Sequence, residues 1–207
     1  MICRTSGYNG DIGTCVESMS KVLSCPLGLS IGSVTTVRSR NRIRLAKILS
    51  QAEGYLELDM PQHALDALAR LGDTANFSSH GLYLRGDALR GLERHHEALV
   101  ALKQAVQRAP SAIHIWLAMG WCHKRTGDID LAVDALEEAL AVDPGSAIVH
   151  YNMACYLSLL DDKPRALAHL AEALAIDSGY RELIDDEPDF DRIRNDPDFQ
   201  AIASLTA

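Results

Sequence analysis

Cysteine and histidine are the residues of this chain best able to do chemistry. The sequence holds five cysteines and eight histidines, and thiolate and imidazole groups serve both as nucleophiles and as zinc ligands. The candidates for a shared site are Cys122, His123, Cys155, His150 and His114. None of them has the CxxC, HxxxH or HExxH spacing of zinc sites. We therefore predict no metal site and no cofactor.

Motifs of catalysis are also missing from the sequence. It contains no GxSxG turn, no phosphate-binding P-loop and no glycine-rich dinucleotide turn. Cys155 with His150 or His123 would supply a nucleophile and a base, but a cysteine also packs well as a small apolar residue in a helical core. The prediction is that the protein is not an enzyme and has no catalytic residue.

Composition limits the partners and the compartment. The net charge of −8 argues against nucleic-acid binding, which needs a concentrated basic face. No segment approaches the roughly 18 to 20 apolar residues that cross a bilayer. An odd number of cysteines without a regular framework indicates reduced thiols. We expect a cytoplasmic protein without nucleic-acid or membrane partners, with export through the mildly apolar stretch 22–37 as the alternative.

The elements that position these residues follow from self-similarity along the chain. Alanine recurs at a constant interval, at Ala64, Ala98, Ala132 and Ala166, and a leucine stands four places after each of these alanines. The interval matches the period of about 34 residues that is typical of a repeated helix-turn-helix unit. Small residues at such places let two helices approach closely. The spacing therefore predicts an all-α fold of stacked helix pairs.

One unit carries the residues of a known family. Its sequence is Trp116-Leu-Ala-Met119-Gly120, then Gly127, Ala132, Leu136, Ala139-Leu140 and Pro144. This order resembles the tetratricopeptide repeat, although His123 stands where the family has tyrosine and Leu136 where it has an aromatic residue. The chain from Tyr151 onward is similar to the end-of-group region of bacterial tetratricopeptide proteins. The resemblance implies a bacterial, non-catalytic protein that binds other polypeptides.

The family register divides residues 41–180 into four repeats. The units run at about 45–78, 79–112, 113–146 and 147–180. A single helix pair cannot bury its apolar face, so the units must stack to be stable. The predicted fold is an α-solenoid of four tetratricopeptide-like helix-turn-helix repeats.

The two ends of the chain differ from the repeats. Residues 1–40 are rich in Gly, Ser and Thr without a helical or strand period, and we expect them to be a disordered leader. Residues 181–207 hold two matched pieces, Glu187-Pro-Asp-Phe190 and Asp196-Pro-Asp-Phe199. Because proline suits the first turn of a helix, these pieces predict short capping helices that cover the last repeat.

The resemblance also implies a binding face. In this family the second, fifth, ninth, twelfth and thirteenth residues of each first helix line the concave groove. The predicted partner-binding residues are His80, Tyr83, Asp87, Arg90, His114, Leu117, Trp121, Lys124, Arg125 and Tyr151. A tryptophan flanked by tyrosines and arginines is typical of binding hot spots. The alternative is that Trp121 and Tyr151 pack between neighbouring helices.

One ligand class of the family is disfavoured. Members that bind the acidic C-termini of chaperones use a clamp of lysines, asparagines and arginine at set places. With the first three units those places hold Leu49, Glu53, Leu84, His114 and Ala118. With the last three they hold Tyr83, Asp87, Ala118, Ile148 and Asn152. Neither set is a carboxylate clamp.

The functional hypothesis is a protein-interaction scaffold that binds a partner polypeptide in the groove of the repeats. The first alternative is a structural module that oligomerises through the same array. Weak self-association could join the basic stretch Arg38–Lys47 of one copy to the acidic tail of another. A thiol- or metal-dependent activity of Cys122, Cys155 and the histidines is the remaining alternative.

Overall fold

The computed structural model describes the backbone of residues 32–72 and 78–204, and side chains from residue 41 onward. Two units are distinguished, residues 1–40 and residues 41–207, and the helical array lies in the second. Most of the predicted leader falls outside the described residues. The backbone of 32–40 is helical, where we expected no regular structure. No proline or glycine follows Gly32 in this stretch, so nothing interrupts a helix that extends upstream from Arg42.

Eight helices form four successive pairs. They are α1 (Gly32–Glu57), α2 (Pro61–Ala69), α3 (Ser79–Gly91), α4 (His95–Arg108), α5 (Ile113–Thr126), α6 (Ile129–Val142), α7 (Ala147–Leu159) and α8 (Lys163–Ile176). The two helices of a pair pack against each other, and the second helix of one pair contacts the first helix of the next. The predicted all-α solenoid of helical repeats is confirmed. The described residues contain no β-strand.

The segment after α8 consists of short helical turns. It comprises a 3₁₀ turn at Ser178–Tyr180, α9 (Arg181–Ile184), a 3₁₀ turn at Pro188–Phe190 and α10 (Pro197–Ser204). We call residues 178–204 the C-terminal cap. Phe190, Ile193 and Phe199 are buried in the same apolar cluster as residues of α6, α7 and α8. The cap therefore completes the hydrophobic core of the fourth pair.

The turn inside each helix pair repeats with the sequence. One residue of each turn has positive φ, at Asp59, Glu93, Gly127 and Asp161. These positions are separated by the same interval as the repeated alanines, so the backbone follows the same path in all four pairs. Glycine adopts this left-handed conformation without strain, whereas the other three residues adopt it against a preference of their side chains.

Close packing inside the pairs depends on glycine at two equivalent positions. A Cβ atom added to Gly86 would lie 2.6 Å from Leu102 Cγ, and one added to Gly120 would lie 3.3 Å from the carbonyl oxygen of Ala132. Gly54 differs, because a Cβ atom there would meet nothing within 4 Å. An alanine at position 86 would thus overlap Leu102, whereas one at position 120 would make a tight contact with the neighbouring helix.

No helix in the described part of the chain combines the length and the apolar character needed to span a bilayer.

Substitution of two glycines separates packing from helix propensity. We expect Gly86→Ala to lower the free energy of unfolding by about 1 to 3 kcal/mol, because the new methyl group overlaps Leu102. Gly54→Ala should raise the free energy of unfolding by about 0.5 to 1 kcal/mol, because alanine is the better helix former and has space. Urea unfolding followed by circular dichroism measures both. Equal effects at the two positions would contradict the close approach at Gly86.

Candidate functional site

The predicted binding residues lie on α3, α5 and α7, the first helices of the last three pairs. Helices α3 and α5 contact each other directly, and five of their side chains form two contacting groups, one of two residues and one of three. We call this surface the α3–α5 face, made of Tyr83, Arg90, His114, Trp121 and Arg125. Each of these residues is half-buried or exposed. The register of the repeats thus brings together side chains that are far apart in the sequence.

One end of the α3–α5 face is aromatic. The rings of Tyr83 and His114 meet edge to face with their centroids 4.5 Å apart. Burial, followed by the nearby Asp87 carboxylate, raises the pKa of Tyr83 to about 12. Burial, followed by the neighbouring His80, lowers the pKa of His114. At neutral pH this end therefore offers a neutral phenol and a neutral imidazole, which can donate and accept hydrogen bonds. Beside it, His80 Nε2 lies 2.9 Å from Glu53 Oε1.

The other end of the α3–α5 face is built around Trp121. The guanidinium groups of Arg90 and Arg125 lie 5.1 Å and 5.7 Å from the centre of the indole. The ring of His95, at the start of α4, meets the indole edge to face at 5.2 Å. Arg90 is itself held by Asp87, whose carboxylate accepts a hydrogen bond of 2.8 Å from Nε. Trp121 is therefore fixed in position while part of its surface stays accessible.

The fourth pair differs, because the C-terminal cap covers its first helix. The 3₁₀ turn Pro188–Phe190 packs on α7. Asp189 accepts a hydrogen bond from the ammonium group of Lys124 on α5, and that ammonium also lies over the ring of Tyr156. Lys124 was predicted to bind a partner, and its charge is already matched within the chain. Sequence reasoning missed Asp189; the repeated Pro-Asp-Phe pieces marked the segment but not the face that it covers.

Tyr151 is placed differently from the prediction. It is only 5% exposed, because the rings of Tyr180 and Phe190 in the C-terminal cap pack on it at 5.0 Å and 5.8 Å. The family register places Tyr151 on the binding face because it takes no account of a segment that covers α7. In the structure Tyr151 is part of the buried cluster of the fourth pair and the cap. Leu117 is half-buried and packs against the core cluster of the third and fourth pairs.

In the described part of the chain, no three cysteines and histidines lie within metal-binding distance of one another. Among the described residues, the only group of three metal-binding side chains is Cys155 with Glu187 and Asp189, whose donor atoms lie within 4.8 Å of one another. The Lys124 ammonium on Asp189 already supplies positive charge there. Cys122 is fully buried, and burial raises its pKa to about 12. Both described thiols are therefore buried in the hydrophobic core.

Thiol labelling tests this view of the cysteines. At pH 8 we expect iodoacetamide to leave Cys122 and Cys155 unmodified in the folded chain. Cys122, with a pKa near 12, is a thiolate only about once in ten thousand molecules, and Cys155 is only 2% exposed. Both should react once urea unfolds the protein. Mass spectrometry of the cysteine peptides reads each site separately. Rapid labelling of either residue in the folded state would restore the thiol-activity alternative.

The ion pair between Lys124 and Asp189 should stabilise the fold measurably. Lys124→Met leaves the Asp189 carboxylate, whose side chain is only 9% exposed, without its cation. We expect the free energy of unfolding to fall by about 1 to 3 kcal/mol, and Lys124→Met with Asp189→Asn to recover part of that loss. Lys103→Met on the exposed side of α4 is the matched control, with an expected change within about 0.5 kcal/mol. Urea unfolding measures all four proteins; equal losses for Lys103→Met and Lys124→Met would argue against the pair.

The architecture and this face define the class of the molecule as a helical-repeat solenoid. Residues 89–154 match the family model of the tetratricopeptide repeat. Residues 89–154 therefore carry the tetratricopeptide repeat, and the described array has the fold of tetratricopeptide repeat proteins, which confirms the resemblance of the repeats seen in the sequence. No curated protein sequence matches the chain.

Solved structures of the same fold share little sequence with the chain. A crystal structure of MamA has a TM-score of 0.61 and 16% identity over 75% of this chain and 99% of that one. MamA 41-end from Desulfovibrio magneticus RS-1 has a TM-score of 0.63 and 16% identity, over 77% and 89%. YrrB, described as a TPR protein with an unusual peptide-binding site, has a TM-score of 0.59 and 22% identity, over 65% and 70%. These similarities show the fold.

Proposed function

We propose that the chain is a non-catalytic scaffold that binds a segment of a partner polypeptide on the α3–α5 face. The observation that carries the proposal is the cluster of Tyr83, His114 and Trp121 with two arginines on adjacent first helices. Large aromatic residues and arginine contribute most of the binding energy in protein interfaces. Of the predicted binding residues the C-terminal cap contacts Lys124 and Tyr151, and neither belongs to this cluster.

The proposed face is shorter than the one predicted from the sequence. His80, Asp87 and Leu117 border the α3–α5 face and are retained as neighbouring contacts. Lys124 and Tyr151 are not retained, because they already contact Asp189 and Phe190 of the C-terminal cap. A partner segment would therefore lie across the second and third pairs and end where the cap begins.

Charge in this region favours a particular partner chemistry. The charge of Arg90 is matched by Asp87, and Glu53 contacts His80. Arg125 is exposed and lies over Trp121, and no described carboxylate forms an ion pair with it. A carboxylate of the partner next to an apolar group could bind the guanidinium and the indole together. The unusual peptide-binding site of YrrB supports a peptide as the kind of ligand.

Capture experiments with three variants test the proposed face. The immobilised full chain is incubated with lysate of the source cells, and retained proteins are quantified by mass spectrometry. We expect Trp121→Ala to abolish retention of the proteins that the unmodified chain binds, and Arg125→Glu to reduce it about tenfold or more, as expected for the loss of hot-spot residues. Leu131→Ala is the control, since Leu131 is 48% exposed on α6 and lies outside the α3–α5 face.

The controls distinguish loss of binding from loss of folding. Circular dichroism should give the same helicity for all variants, because neither Trp121 nor Arg125 is fully buried. Retention that is unchanged in Trp121→Ala, or lost equally in Leu131→Ala, would exclude the α3–α5 face. Retention of further copies of the chain itself, with no other protein, would favour the self-assembly alternative.

A further inference from the structure

Two histidines of the fourth pair face each other at a distance from the α3–α5 face. His150 lies on α7 and His169 on α8, and their Nδ1 atoms are 2.9 Å apart. The ring centroids are separated by 5.1 Å and the ring planes differ by 34°. His150 is 9% exposed, whereas His169 is half-buried. One ring is thus fixed in the interior and the other lies at its edge.

The hydrogen bonds of His150 determine which of its nitrogens is free to bind. Its Nε2 lies 2.9 Å from the carbonyl oxygen of Pro144. A carbonyl only accepts, so Nε2 carries the proton and donates it. In the neutral ring, Nδ1 then holds a lone pair that faces His169. Because Nδ1 of His150 carries no proton, Nδ1 of His169 donates the hydrogen bond between the two rings.

An imidazole whose other nitrogen donates to a backbone carbonyl is the usual arrangement of a metal-binding histidine, because that bond fixes the tautomer and the ring orientation. We propose that His150 and His169 together bind a divalent transition-metal ion, of the kind of Ni²⁺ or Zn²⁺, through their Nδ1 atoms. The site joins the two helices of the fourth pair. It is independent of the partner-binding proposal.

The geometry requires only a small adjustment. A metal–nitrogen bond of about 2.0 to 2.1 Å with tetrahedral angles separates two ligand nitrogens by about 3.3 Å, slightly more than the 2.9 Å observed. His169 is the ring that can move, because His150 is held by Pro144. The proton on Nδ1 of His169 shifts to its Nε2, so Nδ1 gains the lone pair that binds the metal and the number of protons on the ring is unchanged. Water molecules would complete the coordination.

The charges around the pair are compatible with a cation. The carboxylates of Glu137 and Glu172 stabilise a positive charge at His169, whereas the guanidinium of Arg165 destabilises it. Arg165 is bound to Glu137 at 2.8 Å, so part of its charge is offset. Imidazole ligands suit Ni²⁺, Cu²⁺ and Zn²⁺, whereas thiolates compete mainly for Zn²⁺ and Cu⁺. Ni²⁺ is therefore the better first probe in a chain with five cysteines.

Calorimetric titration of the full chain with Ni²⁺ at neutral pH, after removal of metals with a chelator, tests the site. We expect one ion per chain, and His169→Gln should weaken its binding about tenfold or more. The matched control is His96→Ala, an exposed histidine on α4, which should leave the affinity unchanged. The midpoint of thermal unfolding should rise with Ni²⁺ in the unmodified chain and in His96→Ala, but not in His169→Gln.

Several outcomes would overturn the proposal. These are the absence of Ni²⁺ binding to the unmodified chain, binding that His169→Gln leaves unchanged, and equal weakening by His96→Ala and His169→Gln. His150→Gln provides a second test, with circular dichroism to establish its folding because His150 is buried. If His150→Gln does not fold, His169→Gln alone decides, since the half-buried His169 can be replaced with less disturbance to the core.

Discussion

The close approach of the two helices in each pair is the constraint on which the rest of the structure depends. At Gly86 an added Cβ atom would overlap Leu102 and at Gly120 it would make a tight contact with Ala132, and fully buried alanines occupy the facing positions of the second helices. This approach sets the distance between successive first helices as well, because each pair stacks on the next. The contacts of Tyr83 with His114 and of Arg90 with Trp121 exist only at that spacing.

The C-terminal cap ends the solenoid, and the area that it covers determines how much of the repeat surface is open to a partner. The last pair exposes an apolar face, which the C-terminal cap covers with Phe190, Ile193 and Phe199. The cap also makes polar contacts, since Arg192 donates to the carbonyl oxygen of Leu159 and Lys163 binds Asp196 at 2.7 Å. Burial of these aromatic and aliphatic side chains is worth several kcal/mol, roughly 1.5 to 3 for each. The cap is therefore part of the fold, and the face beneath it is unavailable to a partner.

The repeated architecture could be predicted from the sequence because it depends on local features that recur in every unit, such as Gly86 and Gly120 or Ala98 and Ala132. The contacts that break the repeat could not be predicted. Tyr151 is buried because Phe190 packs on it, and Lys124 is paired because Asp189 reaches it. The position of His150 is likewise determined by the ring of His169 in the next helix. Each arises from the path of one specific segment over a repeated surface, and periodicity contains no information about that path. The helical start at Gly32 was missed for another reason, since the polar residues after it lack an amphipathic period.

One position of the repeat accounts for the different surfaces along the array. The ninth place of the four first helices holds Glu53, Asp87, Trp121 and Cys155. The two carboxylates bind side chains of the chain itself, Glu53 the imidazole of His80 and Asp87 the guanidinium of Arg90. At Cys155 the side chain is small, and Glu187 and Asp189 of the C-terminal cap come within 4.8 Å of its sulfur. At Trp121 the indole itself occupies the equivalent space and is fixed there by Arg90. The same backbone position therefore receives the cap in the fourth pair and presents an aromatic surface in the third, which sets the boundary between the capped and the open part of the array.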